Sequence, residues 1–221
     1  MSKQNFSNST IGKKIIMGLT GLFLISFLVI HVTLNSFIFF NDGGVSFNAG
    51  ADFMAHNPIV RILEVGLFAG LLAHIFMALI LTIKNNKARP VKYAVTNGNA
   101  NSKWYSRSMG ILGSLLLLFL VVHLGNFWVP TKAAVWNHET HDTFAGMKEV
   151  FSKWYFVAIY LVGVISLCYH LLHGFKSAFQ SLGLTHKKYA RLLHVTGAAF
   201  SYVVCLLFAA MPITMHFGLI K

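Results

Sequence analysis

Acidic residues are scarce in this chain: six Asp and Glu among 221 residues, against eighteen Lys and Arg. Charged residues of both signs make up 11%, where a soluble globular chain carries about 25%. That is too little charge to coat a water-facing surface of this size, so a soluble domain, a disordered chain and a coiled coil are all excluded. Cysteine is almost absent. Cys168 and Cys205 lie singly inside apolar runs, with no C-x-x-C or C-x-x-C-H pattern, which excludes a redox dithiol, a thiolate zinc site, an iron–sulfur run and covalent haem attachment. Both read as small buried hydrophobes. No G-x-G-x-x-G or Walker sequence is present, so the chain has no nucleotide- or flavin-binding fingerprint of its own.

What the chain does have is apolar length: 56% of it is hydrophobic. Five stretches carry no charge: Ile15 to Phe40, Val65 to Ile83, Ser108 to Thr131, Trp154 to Phe175 and Leu192 to Ile220. A membrane span needs roughly 20 apolar residues. A segment in hydrocarbon must satisfy its own backbone, and the alternation of a barrel strand is missing, so each is expected to be a helix. The first is too long for the apolar core of a signal peptide and lacks a small-residue cleavage site, so it is expected to stay as a span. The expected fold is all-α, one domain over 1–221, an integral membrane bundle with spans at roughly 15–40, 58–84, 107–130, 153–177 and 191–217. Asn57-Pro58 suits a helix start. Pro130 is expected to end the third span, and Pro212 to kink or end the fifth. Pro90 falls in the loop after the second.

Charge orients the bundle. With the N-terminus inside, thirteen of the eighteen basic residues face inward, among them Lys3, Lys13, Lys14, Arg89, Lys92, Arg107 and Arg191. Arg61, Lys132, Lys148, Lys153 and Lys221 face outward, and all six acids fall on the outer side. The expected topology is therefore N-terminus inside and C-terminus outside. The net charge of +12 is a topology signal, not a nucleic-acid one. The basic inner face suits anionic lipid or a soluble docking partner.

Histidine inside a span is costly and marks function. Four spans carry one: His31, His74, His123 and His170, with His173 one turn after the last. At about 1.5 Å per residue, His31 and His123 each lie roughly 24 Å from the inner end of their spans, and His74 and His170 roughly 15 and 9 Å. Two levels result, each shared by two helices. Paired imidazoles across a bundle core fill both axial positions of haem b, which leaves electron transfer as the chemistry. Haem propionates would find Arg107, Arg191 and His173 at the inner edge. A haem-free transporter that uses the histidines as a proton relay stays open as an alternative.

Small residues at Gly18, Gly21, Gly66, Gly70, Gly110 and Gly113 read as helix-packing positions. Trp104, Tyr105, Trp128, Trp154 and Tyr155 read as interfacial aromatics. The cluster His138-Glu139-Thr140-His141-Asp142 has metal-ligand residue types, but it misses the H-E-x-x-H spacing by one residue. The sequons at Asn5 and Asn8 fall on the inner side and are discounted. Glu64 is the one acid near a span. It is expected to pair with Arg61, the alternative being proton handling at the outer end of its span.

The residues carry a family resemblance over nearly the whole chain. Ser9-Thr10-Ile11-Gly12-Lys13-Lys14 with Met17-Gly18-Leu19-Thr20-Gly21, His31 with Asn35, and Phe47-Asn48, Phe53-Met54, Pro58, Arg61, Leu63 and Glu64 leading to His74 all contribute. So do His123 and His170-Leu171-Leu172-His173-Gly174. The chain resembles the single-chain diheme cytochrome b membrane anchor of succinate dehydrogenase/fumarate reductase, in its Bacteroidetes-like branch. The resemblance implies two haems b, with His74 and His170 on the one nearer the catalytic subunits and His31 and His123 on the outer one. It favours His170 over His173 as ligand. It implies flavoprotein and iron–sulfur partners on the inner face, menaquinone as the electron-carrying substrate, a bacterial cytoplasmic membrane, and a complex that is single or a dimer. Some members have a Glu two residues before the fourth ligand, linked to proton movement. Here Cys168 stands there, which puts that route in doubt. The cytochrome b of another quinone-linked dehydrogenase is the nearest rival.

Overall fold

The computed structural model describes residues 9–87 and 103–220. Lys3, Asn5, Asn8, Arg89, Pro90, Lys92 and Lys221 lie outside the described residues. Among the described residues all regular structure is helical. In chain order the helices are α1 (Thr10–Asn35), α2 (Val45–His56), α3 (Pro58–Lys87), α4 (Trp104–Arg107), α5 (Met109–His123), α6 (Val129–Asn137), α7 (Thr143–Ser152), α8 (Trp154–Ser181) and α9 (Ala190–His216). A 3-10 turn, Ser36–Phe40, extends α1, and a π turn, Leu124–Trp128, joins α5 to α6. Five stretches are long and apolar enough to cross a membrane: Thr10–Phe40, Pro58–Asn85, Met109–Asn137, Trp154–Ser181 and Ala190–His216. The chain is a multi-pass membrane protein. Leu63, Leu72, Phe76 and Leu79 are all more than half exposed along α3, as expected for a helix solvated by lipid.

Local chemistry sets the helix starts. The Ser9 hydroxyl accepts from the Gly12 amide at 2.9 Å and caps α1, satisfying one of four orphan N–H groups. Asn57 Oδ1 accepts from Ile59 and Val60, so Asn57-Pro58 opens α3. Pro130 does not end the third span. It sits in the first turn of α6, where proline costs no hydrogen bond, and the preceding π turn accommodates the ring. The span runs on to Asn137. Pro212 does not end the fifth helix either, which continues to His216.

The close backbone packing is between neighbours. α1 lies against α3, α8 and α9, and α8 lies against α5 and α9. α1–α5 and α3–α8 are not close-packed and oppose each other across the middle. One end of the bundle carries Lys84, Lys103, Lys176, Lys187 and Arg191, and we refer to it as the basic end. The other is covered by the short helices α2, α6 and α7, and all six acids belong to this capped end. The cap holds the largest apolar cluster, with Ile38, Phe47, Phe144, Met147, Phe151 and Tyr160 buried together. Its staple is Asn48, whose Oδ1 accepts from the Phe144 amide at 2.9 Å and whose Nδ2 donates to Asp142 at 2.8 Å. Gly44 permits this closure. Its φ is +85°, and a Cβ there would come within 2.3 Å of Phe144.

Glycine packing follows the expectation in part. Gly18 lies against α8 and Gly70 against Phe23, whereas Gly66 and Gly113 meet nothing within 4 Å. The tightest approach between two of the long helices, Gly163 against Phe119 at 2.4 Å from an added Cβ, has no mark in the sequence.

Candidate functional site

The opposed helices meet through histidine. His31 on α1 and His123 at the end of α5 have ring centroids 5.7 Å apart at 88°. His74 on α3 and His170 on α8 are 6.2 Å apart at 63°. These are the two pairs that depth alone predicts. Each ring reaches across a diagonal of the four-helix group α1, α3, α5 and α8, the first pair toward the capped end and the second toward the basic end.

The pairs have different surroundings. His31 stacks on Phe27 at 5.2 Å and contacts Phe208 at 5.6 Å. His123 touches Phe119, Phe127 and Tyr160 at 5.5–5.9 Å. Tyr160 itself is buried and accepts from the Asn126 amide at 3.2 Å. Asn35 Nδ2 donates to the His31 carbonyl at 2.8 Å and lies 3.4 Å from its Nδ1.

His74 instead meets a hydroxyl. Thr20 Oγ1 lies 3.2 Å from His74 Nδ1 and 2.8 Å from the Ile16 carbonyl. Threonine has one hydroxyl proton, and the shorter contact to the carbonyl takes it. Thr20 can then only accept from the imidazole, so the Nδ1 of His74 carries the proton. In a neutral ring, Nε2 then keeps the lone pair that binds a metal. Gly21 keeps the adjoining wall thin, 3.6 Å from His74 Cε1 to an added Cβ.

Nδ1 of His123 and Nδ1 of His170 are buried with no hydrogen-bond partner among the described residues. An unsatisfied buried polar atom costs about 1–3 kcal/mol, and a bound group is one way to meet it. Metal–imidazole bonds of about 2.0–2.1 Å put the centres of two rings on opposite sides of one metal roughly 6 Å apart. Both observed separations fit such axial ligation, the basic-end pair most closely.

The remaining expected residues stand around these pairs. His173 is half-buried one turn after His170 on α8. Arg107 and Arg191 are exposed at the basic end. Lys13, which the sequence marks only as an inner charge, is buried beside Lys84 on α3. Two ammonium groups in contact call for an anion between them. No trio of His, Cys, Asp or Glu able to hold a metal forms among the described residues, and the 138–142 cluster is no exception.

Glu64 has more partners than expected. Arg61 is 3.5 Å away, but Lys132 Nζ donates at 2.8 Å from α6, and Trp128 Nε1 donates to the other carboxylate oxygen. Lys132 and Trp128 were read only as an outer charge and an interfacial ring. Their separation from Glu64 in sequence hid the contact. A cleft of about 590 Å³ opens beside this cluster, with Phe68, Val135 and Trp136 among its walls.

No family model, curated protein or solved structure matches the chain.

Proposed function

We propose that this chain is the membrane anchor and electron-transfer subunit of a succinate:quinone oxidoreductase in a bacterial cytoplasmic membrane, with its N-terminus inside and C-terminus outside. The observation that carries the reading is the pair of facing imidazoles at each of two levels. His31 and His123 would hold one haem b, and His74 and His170 the other. A haem held by each pair would supply a one-electron carrier.

The polypeptide's part is to place and tune. Thr20 holds the His74 tautomer. Phe27, Phe119 and Tyr160 keep water from the capped-end pair. Lys13 and Lys84, with Arg107 and Arg191, would supply the positive charge that propionates need at the basic end, and His173 a ring N–H. An iron–sulfur protein docked on that end, with a flavoprotein behind it, would exchange electrons with the nearer haem. The dicarboxylate chemistry belongs to that flavoprotein.

The cleft beside Glu64 suits a quinone of the menaquinone class. Its aromatic walls would stack on the ring, and Glu64 would pass a proton between a carboxylate oxygen and a quinone oxygen while Lys132 and Arg61 balance the charge. Glu64→Gln should lower quinone turnover of the assembled complex about a hundredfold, the lower end of the range for lost general acid–base catalysis. Both haem spectra should stay unchanged. Unchanged turnover would remove Glu64 from the reaction.

The deciding experiment is a reduced-minus-oxidised spectrum with a pyridine haemochrome assay on the purified chain, then on His31→Ala and His74→Ala. Two haems b per chain, one lost in each variant, is the expected result. A folded chain that takes up no haem ends the reading and leaves the proton-relay transporter.

A further inference from the structure

A second cavity lies at the basic end, outside both histidine pairs. It occupies about 150 Å³ between α8 and the first half of α9, closed by the residues that start α4. Pockets that engulf a drug-sized ligand run to roughly 300–1,000 Å³, so this one is of headgroup size. Its polar lining is Lys103, Tyr105, Tyr169, Lys176, His194 and Tyr202. Each of these side chains can donate a hydrogen bond, and no carboxylate is among them. None of the three basic groups forms an ion pair among the described residues. All six acids of the chain stand at the opposite end, so the excess positive charge has no internal answer.

The wall is firm. Tyr169 packs on Trp104 at 4.6 Å and on Tyr105 at 5.8 Å, and Lys103 Nζ sits 5.7 Å over the Tyr105 ring. Gly197 makes room for Phe175, which would lie 2.5 Å from an added Cβ. The rest of the lining is apolar: Leu172, Phe175 and Leu193, all on helices long enough to cross the membrane. Cationic donors beside hydrocarbon walls are the chemistry of a phosphate attached to acyl chains.

We propose that this cavity binds the headgroup of an anionic phospholipid, with the phosphate held by Lys103 and Lys176 and the tyrosine hydroxyls and the acyl stems on the apolar wall. Basic pockets between transmembrane helices are suited to such headgroups. The site does not depend on the haem reading.

The test uses the full chain in detergent. Phosphatidylglycerol, phosphatidylcholine and inorganic phosphate are titrated separately, and binding is followed by native mass spectrometry and by the melting temperature. The variants are Lys103→Gln/Lys176→Gln and, at the same end with the same charge change, Lys187→Gln/Lys188→Gln. Phosphatidylglycerol should bind and stabilise the wild type while phosphatidylcholine and phosphate do not. Its affinity should fall about thirtyfold in the first variant, from two lysine contacts, and should hold in the second. Tyr169→Phe, which keeps the ring packing, should show an intermediate loss and separates a lost contact from a misfolded wall. Equal losses in both lysine variants would mean diffuse charge and overturn the site. Equal binding of phosphatidylcholine would remove the anion, and equal binding of inorganic phosphate would remove the lipid.

Discussion

The two histidine pairs are held by different means. The capped-end pair, His31 and His123, is fixed by packing: five aromatic rings lie within 6 Å of one or the other. The basic-end pair, His74 and His170, has no aromatic ring against it in the described contacts apart from its own partner, and His74 takes its orientation from the Thr20 hydroxyl. Packing excludes water and sets a ring's position. A hydrogen bond sets which nitrogen carries the proton. The first site should therefore be sensitive to shape and the second to a single polar atom.

The sharpest way to break this contrast is Gly163→Ala. The new methyl collides with Phe119, which rests on His123 at 5.6 Å and on Tyr160 at 5.1 Å. Overpacking of this kind costs about 1–3 kcal/mol. The melting temperature should fall and, on the proposed haem reading, the spectrum of the capped-end haem should shift while that of the basic-end haem stays. Equal shifts in both would mean that the two sites are one mechanical unit.

The converse substitution is Thr20→Val, which keeps the shape and removes the hydroxyl. Loss of one hydrogen bond is worth about 1 kcal/mol, or about 40 mV for a one-electron carrier. A redox titration should show the basic-end potential displaced by that order and the capped-end one unmoved, and Thr20→Ser should restore it. If Thr20→Val and wild type titrate alike, Thr20 does not set the tautomer.

The smallest effect belongs to the cap itself. Asp142 caps α7, and its carboxyl is held below the usual carboxylate range by the Ala145 amide first and the Asn48 amide next. A depressed carboxyl stabilises the fold above its unfolded value of about 3.9, and that contribution disappears as pH falls through the folded value. Loss of an N-cap is worth about 1 kcal/mol, and exposure to water keeps this one at or below that figure. Melting curves from pH 7 down to 3 should show the wild type weaken, with Asp142→Asn removing part of that dependence and Asp42, also held below the usual carboxylate range by Ser46, keeping the rest.

The spans and the histidine pairing were legible because they follow from two local quantities, apolar length and rise per residue. Nothing beyond counting was needed to match His31 with His123. The cap was not legible in the same way. α2, α6 and α7 are short and mixed in polarity, so between two strong spans they look like loops. Pro130 misled because its meaning depends on whether it stands in the first turn of a helix or inside one, and the π turn before it has no sequence mark. Thr20, Lys13, Lys132 and Asn48 each find a partner on another helix. No local pattern announces that choice, since the partner is set by how the bundle closes.

The Asn48 staple also bears on timing. It joins residues 96 positions apart, and synthesis delivers the chain from the N-terminus. His31 and His123 both leave the ribosome ahead of Asp142 and Phe144. His74 has no partner until α8 follows. The capped-end pair is thus complete before its cover can shut, and there is an interval in which a bulky planar group can enter from that side. The other pair is completed only by His170, after the residues that close the cap have been made.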